Sequence, residues 1–401
     1  MIDKNHQNSK LSLVVHIITK LELGGAQRVT LDTLRSLDRE KFRGGLISGS
    51  EGELTGEALN LENCMVRLIP QLVHPIKPLK DLQALFVIIR LFRKWRPSVV
   101  HTHSSKAGLI GRWAAFFAGV PVRIHSVHGW SFNDYQHRLK RSLFLMLEKI
   151  TAPITTYFFL ESNKHIQIGL SRNLLKENRY ALLYPGIDFS EFDRIRKNRK
   201  GTAAAKPLDK LIRQKKKIIT MVACFKHQKA PLDFLKAASI VNKEMQDARF
   251  VLVGDGILRP RIEAEIENLG LQNEVILLGW RKDIAAIIAS SDLLVLTSLW
   301  EGMPTVVPMA MRLGVPVTAN RIDGCAELVK HGINGLLSAP GDPASIADNI
   351  IKILKDSVIR KKISENGFRF TINFEIERTT VLQENVYLNL LAGAGRLPVI
   401  S

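Results

Sequence analysis

Short runs of β-branched and aliphatic residues alternate along this chain with stretches whose apolar positions recur at helical spacing. That is the pattern of parallel sheets covered by helices on both faces. Leu11–Ile18 (LSLVVHII) predicts a first buried strand, Thr19–Gly25 a loop with a Gly-Gly pair, and Ala26–Leu37 a helix with Val29, Leu31, Leu34 and Leu37 on its apolar face. The spacing then predicts a strand at Phe42–Ser48, a helix at Leu79–Trp95 stopped by Pro97, a strand at Ser98–Thr102, a helix at Lys106–Ala118 and a strand at Val122–Val127.

The pattern restarts at Lys216–Cys224 (KKIITMVAC), a new first strand, followed by a helix through Pro231–Asn242. Strands are expected at Arg249–Val253, Val275–Leu278, Leu293–Thr297 and Pro316–Ala319, with a helix at Thr305–Arg312. The expected organisation is an N-terminal Rossmann-like domain (1–186), a basic junction (187–214) and a second Rossmann-like domain (215–374). A C-terminal helical segment (375–401) would pack back on the first domain. Two α/β halves of this kind imply a cleft between them, because ligands of such sheets bind at the carboxyl ends of the strands.

Composition narrows the class. At 401 residues and roughly 150 per domain, two or three domains are expected, and 46% apolar residues suffice for their cores, which excludes bulk disorder. The three cysteines, Cys64, Cys224 and Cys325, form no CxxC pair, so neither a disulfide framework nor a cysteine-built zinc site is expected. No apolar run reaches the ~18 residues of a membrane span, and the polar start (residues 3–8) does not read as a signal peptide, so a cytoplasmic location is expected.

The net charge is +19, which points to nucleic acid, an anionic membrane face or phosphorylated small molecules. The run of eleven cations from Arg194 to Lys217, opposed only by Asp209, reads as a solvated linker. Nucleic acid is the least supported partner, since the run lacks interleaved aromatics and a recognition motif.

Three segments carry chemistry. They are Gly24-Gly25-Ala26-Gln27-Arg28 after the first strand, His101-Thr102-His103 with Val127-His128-Gly129, and Ser298-Leu299-Trp300-Glu301-Gly302-Met303-Pro304-Thr305 with Gly314-Val315-Pro316-Val317 downstream. In this order, with the Gly-Ile-Asp turn at 186–188 and the Gly254-Asp255-Gly256 loop, the chain resembles the retaining nucleotide-sugar glycosyltransferases of family 4. The resemblance implies the GT-B architecture, two Rossmann-like domains facing across a cleft. It also implies transfer of a sugar from a nucleoside diphosphate, a UDP-sugar being favoured, to a hydroxyl acceptor in polysaccharide or lipopolysaccharide assembly.

The residue chemistry supports this independently. A departing diphosphate needs preorganised cations or backbone N–H groups. Lys229, after the second domain's first strand, lies where such a cation is useful, and the resemblance places the phosphate-binding lysine there. Gly302, Met303, Pro304 and Thr305 lead into a helix whose amides suit an anion, with proline tolerated at the helix start. Glu301 could accept hydrogen bonds from sugar hydroxyls, and in similar enzymes it contacts the donor sugar. Gly24 and Gly25 permit close backbone approach, and the resemblance sets that loop and His128 near the reacting sugar. Gly254 joins the donor side. Trp130, Phe132 and Tyr135 are candidates for acceptor contacts. His101 and His103 lack an acidic partner at ligand spacing and read as structural. With no Asp-x-Asp pair, no metal and no other cofactor are expected.

Two positions depart from the family pattern. Met309 stands where many members carry a second glutamate for the ribose, and Cys224 where an arginine joins the lysine at the diphosphate. Each lost contact would cost about 1–3 kcal/mol of donor binding. A nucleotide-sugar epimerase on the same fold and a non-catalytic nucleotide-sugar-binding protein are the alternatives. Leu79–Trp95 ends in clustered arginine and lysine, and 137–147 interleaves basic and apolar residues. Both suit an interfacial helix on anionic lipid, so peripheral attachment to the inner membrane face and a lipid-linked glycan acceptor are expected.

Overall fold

The computed structural model describes residues 11–198 and 206–393. The chain divides into two compact units. The first contains the chain up to Gly186 together with the segment from Ile376 onward, and the second is Ile187–Glu375.

Among its described residues the first unit holds seven strands: β1 (Ser12–Ile18), β2 (Phe42–Ser48), β3 (Cys64–Leu68), β4 (Val99–Thr102), β5 (Val122–Val127), β6 (Tyr157–Leu160) and β7 (Tyr180–Leu182). All pair in parallel in the order β3-β2-β1-β4-β5-β6-β7. Strands buried on both faces need not alternate, which is why β1 (SLVVHII) reads as a nearly continuous apolar run. On one face the core gathers Val14, Leu31, Leu34, Tyr157 and Phe159, joined by Val386 and Tyr387 of the last helix, Ile376–Leu391. The other face packs Val15, Ile17, Ile88, Phe92, Ala114 and Ala115.

The second unit holds β8 (Lys217–Val222), β9 (Ala248–Val253), β10 (Val275–Leu277), β11 (Leu293–Leu296), β12 (Val317–Asn320) and β13 (Leu336–Ser338), also parallel, in the order β10-β9-β8-β11-β12-β13. In each sheet the strand order reverses once, between β1 and β4 and between β8 and β11. Diverging connections at such a reversal open a crevice at the strands' carboxyl ends, the usual ligand position.

The junction reading needs correction. Residues 187–198 and 206–214 belong to the second unit, and the segment is no solvated linker. Ser190–Lys197 is a helix that buries Phe192 and Ile195, and Leu208 and Leu211 are buried farther on. Of the basic run, Arg196 stacks on Phe368 at 3.4 Å from the ring centroid and Lys217 opens β8. Arg199 and Lys200 lie outside the described residues, as do residues 3–8 of the polar start. Arg312 gathers the segment's ends, bonding Asp193 at 2.6–2.7 Å and Glu375 at 2.9 Å. Among the described residues no helix is long and apolar enough to cross a membrane.

Candidate functional site

In the second unit, the loops leaving β8 and β11 flank the strand-order reversal. After β8 the chain makes a short turn, His227–Lys229, and Ala230 takes a left-handed conformation (φ 43°) so that Pro231 can begin the next helix. Thr297, just past β11, donates its hydroxyl to the carbonyls of Lys229 (2.9 Å) and Ala230 (3.0 Å). Gln228 ties the loops again, accepting from the Leu299 amide at 2.8 Å and donating to the Trp300 carbonyl at 2.9 Å. Asn320, from the end of β12, donates to the Thr297 carbonyl at 2.8 Å.

This stitching brings Lys229 and Glu301 together. The ammonium is ion-paired directly to the carboxylate, whose same oxygen accepts from the Ser298 hydroxyl at 2.6 Å. Glu301 is buried and Lys229 is about one-fifth exposed. Sequence reasoning assigned the two to separate tasks and passed over Ser298, although its position three residues before Glu301 was the available signal.

Gly302 is half-buried, Met303 and Pro304 are buried, and Thr305 and Met309 are half-buried. The helix begins at Val306, with Thr305 as its cap residue. A Cβ on Gly324 would run into the Gly302 carbonyl, so the 323–328 helix presses directly on the Glu301 turn. Cys325 is buried there, and burial followed by the Glu301 charge pushes its thiol well above the ordinary range. Gly254 adopts φ 131°, where a Cβ would strike the Ala223 carbonyl. Its glycine is thus demanded by packing against the β8 loop. Cys224 is half-buried in that loop.

In the first unit, Gly24 caps the helix Gly25–Ser36 in an extended conformation (φ −148°). At the ends of β4 and β5, histidines come together in a row. His128 Nδ1 lies 2.6 Å from a Glu161 oxygen, His128 Nε2 lies 3.0 Å from His103 Nδ1, and His103 Nε2 lies 2.9 Å from His16 Nδ1. His101, stacked on His103 at 4.4 Å, bonds the Tyr387 hydroxyl (2.6 Å) and the Ser126 hydroxyl (2.7 Å). Burial holds His16 down to about 3 and drives His101, His103 and His125 well below the ordinary histidine range, so these rings are neutral. Glu161, 33 residues beyond His128, is the acidic partner that spacing alone did not reveal.

His16, His101 and His103 are the group of metal-ligating type among the described residues, with ligand atoms within 4.8 Å of one another. Their nitrogens are engaged with one another, with His128, Tyr387 and Ser126, leaving only His16 Nε2 without a partner. One available lone pair is not a ligand set for a metal.

The acceptor-side aromatics divide. Trp130 and Phe132 are buried, stacked at 5.6 Å and packed with Phe158 and Leu160, and the Trp130 indole donates to the His165 carbonyl at 3.0 Å. They are core residues, a correction to their reading as sugar or lipid contacts. Tyr135 is exposed.

Residues 205–370 match the family described as glycosyl transferases group 1, and residues 24–153 the glycosyl transferase 4-like domain. The chain is 30% identical to the UDP-Gal:alpha-D-GlcNAc-diphosphoundecaprenol alpha-1,3-galactosyltransferase of Escherichia coli over 381 residues, covering 94% of this chain and 97% of that protein. It is 26% identical to the capsular polysaccharide biosynthesis glycosyltransferase CapM of Staphylococcus aureus over 361 residues, covering 88% and 90% respectively. Among solved structures, HepE of Anabaena in complex with UDP and glucose superposes with a TM-score of 0.78 at 18% identity, over 94% of this chain and all of that one. Sucrose-phosphate synthase of Thermosynechococcus elongatus superposes with a TM-score of 0.79 at 17% identity, over 96% of this chain and 100% of that one.

Proposed function

The chain belongs to the group 1 glycosyltransferases of GT-B fold, and from that premise we propose that it moves a hexose from UDP to a hydroxyl of a lipid-linked glycan, with retention at the anomeric carbon. The observation that carries the reading is the Lys229–Glu301 pair at the strand-order reversal of the second sheet. As a diphosphate enters, the Lys229 ammonium exchanges the carboxylate for phosphate oxygens and stabilises the charge that grows as the glycosidic bond breaks. Glu301, released from the ammonium but still held by Ser298, accepts from hydroxyls of the transferred sugar. The two groups form a preset site that donor binding opens. His128 and the Gly24–Gly25 loop are the first unit's candidates for contacts to the transferred sugar. Phosphate charge met by lysine and amides leaves no task for a metal.

Met309 and Cys224 favour a second reading. Neither offers the ribose or diphosphate contact seen at those positions in many family members, so a protein that binds nucleotide sugar without transferring it is the rival. Assaying transfer from UDP-galactose, UDP-glucose and UDP-N-acetylglucosamine to a diphospholipid-linked sugar, with wild type against Lys229→Ala and Glu301→Ala, separates them. Turnover lost in both variants supports the transferase. Binding without turnover in wild type supports the rival, and sugar isomerised with donor alone would mean an epimerase.

The acceptor class draws support from the Escherichia coli relative, whose name specifies a diphosphoundecaprenol-linked sugar. It also draws on the helix Arg138–Thr151. Leu139, Leu143, Met146 and Ile150 are all exposed, at 77%, 46%, 52% and 51%, and fall on one stripe. Arg138, Lys140 and Lys149 are exposed beside it. The opposite side is pinned by the buried Arg112–Glu148 ion pair (2.9 Å) and the Trp113–Thr151 bond (3.0 Å), so the stripe has nowhere to turn but outward. In Pro78–Trp95, exposed Leu79, Leu82 and Phe86 run toward exposed Arg90, Arg93 and Lys94. An apolar stripe rimmed by cations suits the headgroup layer of an anionic leaflet, which would hold the enzyme on the cytoplasmic face beside its lipid-linked acceptor.

A further inference from the structure

We propose that Glu161, His128, His103 and His16 form one hydrogen-bonded row with a single direction, and that the row presents His128 Nε2 as a lone pair to which a substrate hydroxyl donates. His103 and Glu161 are then positioning residues, acting through His128. The inference rests on the reading that places His128 at the reacting centre, and it adds the polarity with which His128 meets its substrate.

The direction follows from counting protons. A neutral imidazole has one N–H and one lone pair, and an ionised carboxylate only accepts. Glu161 therefore receives the Nδ1–H of His128, across 2.6 Å. With a single proton on the His128 ring, Nε2 is bare, and the proton in its 3.0 Å contact comes from His103 Nδ1. His103 Nε2 is then bare in turn and receives the Nδ1–H of His16 across 2.9 Å. The row ends at His16 Nε2, which must be a lone pair. That nitrogen is buried and has no hydrogen-bond partner among the described residues.

The opposite direction would require a proton on His128 Nε2, with Glu161 protonated or His128 carrying two protons, and in either case His103 and His16 would carry theirs on Nε2. Its last N–H, on His16, would point into the protein interior without an acceptor. The observed end of the row is therefore independent support for the first direction. No ring alongside can reverse it. His101 is committed to Tyr387 and Ser126, and His125 Nδ1 lies 2.9 Å from the Thr102 hydroxyl and 3.1 Å from its carbonyl. All three interior rings are kept neutral by burial, so none carries a spare proton into the row.

His128 is the member nearest solvent, with a side chain 16% exposed. Its bond to Glu161 reaches a carboxylate and is charge-assisted, whereas its bond to His103 reaches a ring that burial keeps neutral, which makes the second the weaker. A substrate hydroxyl thus donates to the same Nε2 lone pair beside the weakly held His103 N–H, while Glu161 and His103 together keep the ring in place. Such a hydroxyl is oriented as a donor, a polarity that a freely rotating histidine would not impose.

Selectively 15N-histidine-labelled full-length protein reads the tautomers directly through the long-range couplings of the ring protons. The expected result is a protonated Nδ1 and a bare Nε2 for His128, His103 and His16. A proton on His128 Nε2, or loss of the pattern on adding zinc alone, overturns the row. Kinetics supply the second arm, because asparagine places its amide nitrogen close to where histidine carries Nδ1. His103→Leu should lower kcat about tenfold with the donor KM unchanged, the scale on which outer hydrogen-bond partners act. His103→Asn should recover to within about threefold of wild type, since the donor to His128 is restored. Equal losses in both variants, or none in either, would overturn the positioning role. If wild type turns over no nucleotide sugar, the transferase reading fails, while the tautomers still decide on the row.

Discussion

The Lys229 ammonium and the Glu301 carboxylate, 72 residues apart in sequence, form a direct ion pair whose carboxylate is also held by Ser298. While the two are paired, each group blocks the other's proposed task. A diphosphate must therefore compete with Glu301 for the ammonium. Glu301→Gln, which keeps the shape and removes the charge, should bind UDP about three- to tenfold more tightly by titration calorimetry, roughly 0.7–1.4 kcal/mol. The same variant should transfer sugar about 10²–10³-fold more slowly, the range for loss of a preorganised polar contact at the reacting centre. Tighter UDP binding with slower transfer is a signature that a purely structural salt bridge does not produce. Lys229→Ala should lose both.

Gly324 offers a way to disturb the turn without touching its charges. A Cβ there would collide with the Gly302 carbonyl, a backbone atom that cannot swing aside. Gly324→Ala should displace Glu301 and lower kcat/KM by about tenfold or more, since misplacement by an ångström is enough for such losses. Gly56→Ala, whose Cβ meets nothing within 4 Å, is the control and should leave transfer unchanged.

What could be read in advance follows from what each feature depends on. Strands β1 and β8 were legible because burial on both faces writes itself as a largely apolar run. By contrast, β3 and β7, five and three residues long, carry too little pattern to separate from their surroundings. The helix Ser190–Lys197 was hidden by its cations, since only Phe192 and Ile195 mark its inner face. In the site, Glu301 and Lys229 were found through local motifs, but their pairing depends on the parallel register of β8 and β11. His101 and His103 looked like isolated histidines, because Glu161, the acid that completes the row, arrives from β6. Trp130 misled for the opposite reason. An aromatic after a strand end looks the same in sequence whether it faces a ligand or the core.

Arg112 and Glu148 are 0% and 2% exposed and bonded at 2.9 Å, with Arg112 also donating to the Gly108 carbonyl and the Thr155 hydroxyl. Arg112→Met alone strands a buried carboxylate and should destabilise the first unit by about 3–5 kcal/mol in urea unfolding. Adding Glu148→Leu should recover most of that loss, because the double replacement leaves no unpaired charge.

The stripe on Arg138–Thr151 should bind vesicles rich in phosphatidylglycerol and release them as salt rises. Leu143→Asp with Met146→Asp removes two apolar contacts, each worth about 1.5–3 kcal/mol when fully buried. Sedimentation with such vesicles should fall at least about tenfold, with transfer to a water-soluble acceptor analogue unchanged. Binding unaffected by both substitutions and by salt would remove the membrane reading and leave the enzyme reading standing.

The buried histidines make the first unit sensitive to acid, and the sign follows from their protonation. His16 is held down to about 3, and His101, His103 and His125 are also displaced downward, in each case chiefly by burial. Unfolded, the same rings take up protons as pH falls below about 6.5. The unfolded state thus binds more protons than the folded state below that pH, so stability must rise with pH in this window and fall as acid is added. Above about 6.5 both states carry neutral rings and the effect vanishes. Each ring contributes a slope of about 1.4 kcal/mol per pH unit once well below 6.5, so four together set a steep upper bound. Hydrogen exchange of the β1 and β4 amides, followed from pH 7.5 to 5, should show protection that is flat at first and then drops. Replacing His125, which lies outside the row, by glutamine should shallow that drop by about one proton's worth of slope. Protection that stayed flat down to pH 5 would mean that these rings take up their protons in the folded protein as readily as in the unfolded one.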